Sequence, residues 1–179
     1  MRIISGQHRG KRITAPKKLP IRPTTDFAKE ALFNILNNRF HFNGLKVIDL
    51  FSGSGNIAYE FGSRGAGPII AVDENFESIK FIKKTAEELN LDISPVKSDA
   101  FKYLEKGAGK ADIIFADPPY NFDIETLLSL VTITFERELL EENGELIIEH
   151  SKKLDLSSSL NFIEVRKYGN SVFSFFSVT

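Results

Sequence analysis

Residues 116–120 read Ala-Asp-Pro-Pro-Tyr and directly follow the apolar run 111–115. A proline fixes its own backbone angle, has no N–H group and pushes the residue before it into an extended conformation. Asp117 and Pro118 should therefore both be extended, and the corner offers a carboxylate and carbonyls as acceptors with few competing donors. Such a corner suits a ligand that is rich in N–H groups, although two prolines can also simply end a strand.

A glycine loop, Gly53-Ser-Gly55, follows the first strand-like run, and Asp73 ends the second, about 20 residues later as in dinucleotide-binding folds. Glycines let a ligand approach backbone N–H groups and the N-terminus of the following helix. The third glycine of the dinucleotide fingerprint is replaced by Ala58, which that fingerprint permits. Because Asp73 could accept bonds from both hydroxyls of a ribose, the pattern predicts a ribose-bearing cofactor.

The acceptor corner favours methyl transfer to a planar exocyclic amine over hydride transfer. Such an amine is a poor nucleophile, since its lone pair is delocalised into the base. The Asp117 carboxylate and the Pro118 carbonyl could hold its two protons, and Tyr120 could stack on the base, an interaction worth about 1 to 3 kcal/mol. S-adenosylmethionine already carries an activated methyl group, so positioning and desolvation would supply most of the rate.

The elements that position these residues alternate along the chain. Strands are predicted at 45–51, 68–73, 93–97, 111–117 and 144–149. A helix that begins near residue 26 precedes them, and helices that begin near residues 56, 76, 101 and 124 separate them. The alternation predicts an α/β fold with a parallel sheet and helices on both faces. Ligands bind beyond the carboxyl ends of such strands, where four of these five runs end in polar or glycine residues: Ser52 to Gly55, Asp73, Asp99 and Asp117.

Two runs near the end, 161–167 and 171–178, are separated by Tyr168-Gly-Asn and predict an antiparallel hairpin at one edge of the sheet. The Phe-rich run 173–176 is expected to be an edge of the core. The helix near residue 124 is expected to continue to Leu140.

The composition fits one soluble domain with a small extension, at 179 residues and 42% hydrophobic side chains. The absence of cysteine favours a reducing compartment, and no signal peptide or membrane-spanning run is present, so we expect a cytoplasmic protein. The histidines are scattered without ligand spacing, so no metal is expected, and His150 is expected to be a solvated surface residue.

Positive charge is concentrated at the N-terminus. Residues 1–25 hold seven of the 23 basic residues and none of the 24 acidic ones, so they carry +7 and the remainder carries -8. Ile3, Ile4 and Ile13 flank a turn-forming run at 5–10, which predicts an ordered hairpin that displays the charges. We expect residues 1–23 to be a basic β-hairpin and linker that contacts nucleic acid, and residues 24–179 to form the main domain.

Four stretches, at 2–11, 22–36, 49–55 and 117–120, resemble the RsmD family of 16S rRNA guanine-N2 methyltransferases, and the resemblance extends to the hairpin at Tyr168. It implies a Rossmann-like methyltransferase fold, with a seven-stranded, mostly parallel sheet that ends in an antiparallel hairpin. It also implies methylation of the N2 amine of one guanine, the family target being guanine 966. The cofactor would be S-adenosylmethionine without a metal, and the partner of a monomeric enzyme would be 16S rRNA or the small ribosomal subunit.

The resemblance assigns roles to residues at matching positions. The residues expected to line the methionine end of the cofactor are Asp49, Ser52, Gly53 and Gly55. The ribose would be held by Asp73, and the adenine would be bordered by Asp99 and Ala100. The segment Arg22-Pro-Thr-Thr and the helix that follows it, with Phe33 and Asn34, would close over the cofactor.

The same resemblance assigns the substrate contacts. The residues expected to hold the target base during catalysis are Asp117, Pro118 and Tyr120. The residues expected to contact rRNA phosphates are Arg2, Arg9, Lys11, Arg12 and Arg22. One departure is that Lys29 stands where the family often has Arg, and lysine cannot make a bidentate contact.

Other functions stay open at this point. An adenine-N6 DNA methyltransferase could use the same motif, but 179 residues leave little room for a target-recognition segment. A non-catalytic rRNA-binding assembly factor could keep the fold, although the intact motif 117–120 argues against it. A nicotinamide dehydrogenase fits the glycine loop but has no evident need of the acceptor corner.

Overall fold

The computed structural model describes residues 1–17, 19, 24–107 and 109–178. Its strands are β1 (Val47–Leu50), β2 (Ile69–Asp73), β3 (Ile93–Lys97), β4 (Ala111–Ala116), β5 (Leu140–His150), β6 (Phe162–Tyr168) and β7 (Ser171–Ser177). Its helices are α1 (Asp26–Asn37), α2 (Asn56–Ser63), α3 (Phe76–Glu88), α4 (Ala100–Glu105) and α5 (Ile124–Glu136). Strands and helices alternate as far as β5, which confirms the predicted α/β class.

The described strands form a seven-stranded sheet in the order β3-β2-β1-β4-β5-β7-β6. Strands β1 to β5 pair in parallel, and β7 pairs antiparallel with both β5 and β6. The predicted hairpin is therefore confirmed at one edge of the sheet. The second strand of the hairpin, β7, lies between β5 and β6, and the first strand, β6, is at the edge. This order agrees with burial, since Phe173, Phe175 and Phe176 of β7 are fully buried, whereas β6 is largely exposed.

The core lies on both faces of the sheet. Successive strand residues alternate between two clusters, so Val47 joins the cluster on one face and Ile48 the cluster on the other. Helices α1, α2 and α3 cover the first face, and α4 and α5 cover the second. The run 173–176 belongs to this core, as predicted.

Helix α1 begins where a threonine can cap it. The Thr25 side chain accepts a hydrogen bond from the Ala28 backbone N–H at 3.2 Å, so Thr25 is the residue that caps the helix. Ala28, Leu32 and Leu36 then recur at helical spacing and are fully buried against the sheet. The neighbouring Thr24 does not cap the helix, and its hydroxyl bonds Glu149 instead.

The N-terminal segment folds back on itself in an antiparallel hairpin, as predicted. Within the described residues 1–17, its two sides are joined by a single antiparallel β-bridge, between Arg2 and Arg12, and do not form longer strands. Ile3 and Ile13 are buried in the core of the main domain, so this arm packs on the domain. At Gly6 the backbone has a φ of +84°, and a Cβ there would lie 1.8 Å from the Ser63 carbonyl oxygen. Only glycine allows the arm to approach α2 this closely.

Two element boundaries differ from the prediction. Helix α5 stops at Glu136 instead of Leu140, because the backbone turns through a left-handed residue, Glu138, with a φ of 50°. Strand β5 begins at Leu140 and passes through a second left-handed residue, Asn143, before its regular part. None of the helices in the described part of the chain is long and apolar enough to span a membrane.

Candidate active site

A cavity of about 640 Å³ opens at the carboxyl ends of the parallel strands. It is bordered by the segments that follow β1, β2, β3 and β4, where a parallel sheet with this strand order is expected to bind its ligand. The expected site residues that line it are Asp49, Ser52, Gly53, Asp73, Asp99, Ala100, Asp117, Pro118 and Tyr120.

The glycine loop and Asp73 are joined by hydrogen bonds. The Gly53 N–H donates to Asp73 Oδ2 at 2.8 Å, and the Asn75 N–H donates to Asp73 Oδ1 at 2.9 Å. These bonds fix the carboxylate, while each oxygen keeps a further lone pair that a hydroxyl could use. Gly55 caps α2 with a φ of +81° and is outside the residues that line the cavity, so its role is to shape the turn.

Asp49, at the third position of β1, is a buried carboxyl group in the cavity wall. It is 2% exposed, and its Oδ2 has no hydrogen-bond partner in the described part of the protein. Burial raises the pKa of Asp49 to about 8; a bond from the Ala58 backbone opposes this effect, and the charge of Asp73 adds to it. A cation that reached Asp49 would be strongly favoured by this environment.

Asp99 and Ala100 lie at the end of β3. The Asp99 side chain accepts a hydrogen bond from the Lys102 N–H at 2.9 Å and caps α4. Ala100 is buried and adds a small apolar surface to the wall beside it. The pair thus provides an acceptor next to an apolar surface, a combination that a planar ring with polar edges can use.

The corner 117–120 turns out of β4 into the mouth of the cavity. Pro118 is buried, while Tyr120 is 38% exposed at the rim. The Phe122 N–H donates to the Pro119 carbonyl at 3.1 Å and closes the turn. The Phe122 ring meets Phe51 edge-on at 5.8 Å between centroids, and both rings line the cavity.

Two residues expected at the cofactor are held elsewhere. Phe33 is fully buried in α1, where it packs edge-on against Phe61 at 4.7 Å between centroids. Asn34 follows it on the exposed side of the helix, and neither residue lines the cavity. The prediction that these two side chains close over the cofactor is therefore corrected. Phe33 belongs to the apolar stripe of α1 that faces the core, and Asn34 is exposed on the other side of the helix, away from the cavity.

Thr24 belongs to the segment that the resemblance expects to close over the cofactor. It lines the cavity and donates its hydroxyl to Glu149 Oε2 at 2.9 Å, which ties the start of α1 to the end of β5. The structure also adds two residues that sequence reasoning missed. Phe51 reaches the cavity through a left-handed backbone with a φ of 57°, for which the sequence gives no signal. Asn56, the first residue of α2, also lines the cavity.

The prediction that His150 is a solvated surface residue is wrong. It is buried, and burial lowers the pKa of its imidazole. The Ser151 carbonyl, 2.9 Å from Nδ1, can only accept, so Nδ1 carries the proton of the neutral ring. Nε2 then accepts from the Ser174 hydroxyl at 2.7 Å, and His150 serves the packing of β5 on β7.

The basic residues of the arm lie on the protein surface. Arg9, Lys11 and Arg12 are exposed, whereas the Arg2 side chain forms an ion pair with Asp26 at 3.3 Å. Arg22, the remaining residue expected to contact rRNA, lies outside the described residues. Within the described ranges, His, Asp and Glu side chains do not form a group of three that could hold a metal ion.

Solved proteins with a similar fold include S-adenosylmethionine-dependent methyltransferases of the Rossmann-like class. That class agrees with a cavity formed by the glycine loop and the carboxylates at the strand ends. Within the class, the family model described as Conserved hypothetical protein 95 matches residues 1–177. The chain belongs to this family, the RsmD family of rRNA methyltransferases.

Two curated relatives are similar over most of their length. YlbH of Bacillus subtilis (strain 168), named as a candidate rRNA methyltransferase, is 34% identical over 89% of this chain and 88% of its own. Ribosomal RNA small subunit methyltransferase D of Escherichia coli (strain K12) is 33% identical over 83% of this chain and 71% of its own.

Two solved structures show the same fold. The candidate methyltransferase yhhF of Escherichia coli has a TM-score of 0.85 and 25% identity, covering 98% of this chain and 96% of that one. RsmC of Thermus thermophilus, a 16S rRNA N2 G1207 methyltransferase in complex with AdoMet and guanosine, has a TM-score of 0.69 and 21% identity. That match covers 88% of this chain and 44% of RsmC, and it extends to the fold alone.

Proposed function

We propose that this protein transfers a methyl group from S-adenosylmethionine to the exocyclic N2 amine of a guanine in 16S rRNA, with guanine 966 as the expected target. The observation that carries the proposal is that one cavity joins the acceptor corner at Asp117 and Pro118 to Asp73 and the glycine loop. Support for the substrate comes from a relative, 33% identical, that is named a small-subunit rRNA methyltransferase.

The cavity wall fits S-adenosylmethionine. The buried Asp49 Oδ2 has no hydrogen-bond partner among the described residues and suits the ammonium group of the methionine end. The two oxygens of Asp73, already oriented by backbone N–H groups, suit the ribose hydroxyls. When it is bound, S-adenosylmethionine supplies an activated methyl group, and the protein need only hold and orient the acceptor.

The acceptor is held by the corner that follows β4. The Asp117 carboxylate and the Pro118 carbonyl would accept the two N–H bonds of the exocyclic amine, which keeps its lone pair out of the ring. Tyr120, at the rim, would stack on the guanine. As the nitrogen gains the methyl group it must lose a proton, and the Asp117 carboxylate is placed to accept that proton and pass it to water.

The rRNA backbone would pass along the arm. Lys11 and Arg12 of the arm and Lys80 and Lys84 of α3 line a groove of about 540 Å³, and two acidic residues of α3, Glu77 and Glu88, line it as well. Cations on two elements suit a phosphate chain better than a single exposed charge does. In this proposal residues 1–23 are the rRNA-contacting arm, residues 24–179 the methyltransferase domain, and the enzyme works as a cytoplasmic monomer.

The first test uses labelled S-adenosylmethionine with three substrates, followed by nucleoside analysis. The substrates are small subunits that lack the modification, naked 16S rRNA and duplex DNA. We expect N2-methylguanosine from the ribosomal substrates alone. N6-methyladenine in the DNA would instead establish an adenine methyltransferase, and cofactor binding without any label would support a binding-only role.

The matched variants are Asp117→Ala and Asp92→Ala, which removes an exposed carboxylate outside the cavity. Loss of the base-holding acceptor should lower kcat by a factor on the order of 100 or more, while the control keeps its rate. Cofactor affinity, measured by calorimetry, should be the same in both variants. Equal rates in the two variants would contradict the role of Asp117.

A further inference from the structure

A fully buried lysine, Lys29, lies between the arm and the cavity. Its Nζ donates to the Arg2 carbonyl at 2.7 Å and to Asn56 Oδ1 at 2.8 Å, and it lies 3.3 Å from Glu60 Oε2. A lysine ammonium has three N–H bonds and no acceptor. These three contacts therefore use all of its donors.

The lysine determines the orientation of Asn56. Because an ammonium group can only donate, the amide of Asn56 must turn its oxygen toward Lys29 and its NH₂ group away. Asn56 is 9% exposed and lines the cavity, and its Nδ2 has no hydrogen-bond partner in the described part of the protein. The network thus ends in one buried donor without a partner among the described residues, on a side chain that lines the cavity.

The position of this donor favours an anion. Asn56 is the first residue of α2, whose first N–H groups point out of the helix end with its partial positive charge. The cap residue, Gly55, has no side chain to occupy those groups, and among them the Ala58 N–H already bonds the Asp49 carboxyl group. The same wall contains the unpartnered Asp49 Oδ2, which favours a cation. An unused donor and an unused acceptor in one wall match the two charges of an α-amino acid group.

We propose that Asn56 is the residue that binds the α-carboxylate of the methionine end of S-adenosylmethionine, through its Nδ2, and that Lys29 is the positioning residue that orients it. The proposal rests on the proposed function only in taking S-adenosylmethionine as the ligand. The docked arm is part of the same hydrogen-bond network, because the Arg2 carbonyl accepts a hydrogen bond from Lys29. The arm would thereby influence cofactor binding without touching the cofactor.

The test compares two ligands that differ only in the carboxylate: S-adenosylmethionine and its decarboxylated form. Their dissociation constants are measured by calorimetry for the wild type, Asn56→Asp and a control, Asn37→Asp, which changes an exposed asparagine at the end of α1. Asn56→Asp keeps the shape of the side chain and an acceptor for Lys29, but it replaces the NH₂ donor by a carboxylate oxygen that would also repel the carboxylate of the ligand. Thermal unfolding of each variant checks that it is folded.

In Asn56→Asp the affinity for S-adenosylmethionine should fall roughly ten- to hundred-fold, since a hydrogen bond to a charged group is lost. The affinity for the decarboxylated ligand should change by less than about threefold, and the control should bind both ligands as the wild type does. Lys29→Met should likewise lower the affinity for S-adenosylmethionine relative to that for the decarboxylated ligand. In Lys29→Arg, which keeps a donor, the ratio of the two affinities should return toward the wild-type value.

An unchanged ratio of the two affinities in Asn56→Asp would overturn this inference alone, whether both affinities fell or neither did. A wild-type protein that bound neither ligand would overturn the proposed function together with the inference. The ratio is independent of turnover, so the result does not depend on finding the correct rRNA substrate.

Discussion

Two buried carboxylates, Glu60 and Asp49, lie in neighbouring regions of the molecule and differ in how they are satisfied. Glu60, in α2, accepts the backbone N–H groups of Ile4 and Ser5 at 2.8 and 3.0 Å. It also pairs with Arg64 at 2.9 Å and with Lys29 at 3.3 Å. Asp49, at the cavity, keeps an oxygen without a partner among the described residues.

The difference separates a structural carboxylate from one that is available to a ligand. Burial alone does not distinguish them, since Glu60 is fully buried and Asp49 is 2% exposed. Glu60 is surrounded by donors and fastens the arm to α2. Asp49 is buried near another carboxylate, Asp73, and receives a bond from the Ala58 backbone, so its charged form is stabilised when a cation arrives. Four variants test this contrast, in decreasing order of effect.

The largest effect is expected for Glu60→Gln, which should weaken the attachment of the N-terminal arm to α2. The variant leaves Lys29 buried without its counter-charge and puts an amide donor among other donors. We expect the free energy of unfolding to fall by about 4 kcal/mol, as for other buried pairs that lose one partner. Urea denaturation measures it, and Glu88→Gln, on the exposed side of α3, is the control. A loss as small as that of the control would mean that the network does not hold the arm.

The next effect concerns Asp49 and depends on pH. A carboxyl whose pKa is raised to about 8 in the folded state holds a proton that the unfolded chain has lost. Its contribution to stability is complete below pH 4 and decreases as the pH rises toward 8. Relative to Asp49→Asn, the wild type should lose about 2 kcal/mol between pH 5 and pH 7. Unfolding titrations of both proteins at these pH values measure the difference, and parallel pH profiles would show that Asp49 is already charged.

A smaller effect is expected for the rim of the cavity, where Tyr120→Ala should weaken substrate binding without altering stability. Loss of a stacked ring should raise the KM for rRNA about tenfold, since such a contact is worth about 1 to 3 kcal/mol. Tyr120→Phe keeps the ring and is the matched control. A KM that rises equally in both variants would assign the effect to the hydroxyl and contradict stacking.

The smallest effect is expected for the outer surface of the arm groove. Changing Lys80 and Lys84 to Ala should reduce the slope of log affinity against log salt by roughly 0.7 to 0.9 for each lost phosphate contact. Lys83 is on the same helix but outside the groove, so Lys83→Ala together with Lys106→Ala makes a control with the same change in charge. Equal salt slopes for the two double variants would show that the groove does not hold rRNA phosphates.

Much of the site could be predicted because parallel strands bring their carboxyl ends together. Asp73, Asp99 and Asp117 follow separate apolar runs, and any parallel sheet built from those runs must place them on one rim. The glycine loop was equally visible, since its spacing matches a known turn. These predictions needed only the order of the elements.

The other features of the site depend on the direction in which each side chain points, and a pattern of residue types does not determine that direction. Phe33 was assigned to the cavity, but its position on α1 directs it to the core. Phe51 lines the cavity because of a left-handed backbone that is unusual for phenylalanine. The role of Asn56 arises from Lys29, 27 residues earlier in the chain, and such a contact has no local signature.

The position of β7 inside the sheet also limits how the protein can be made. Strands β1 to β6 leave the ribosome before β7, yet β5 and β6 are neighbours only through β7. A growing chain that has reached Tyr168 therefore still has an open edge on β5, where every second residue between Glu145 and His150 has backbone groups that β7 will pair. The parallel sheet can be complete at that stage but has one open edge, so the insertion of β7 between β5 and β6 is the step that closes this edge and covers the core beside it.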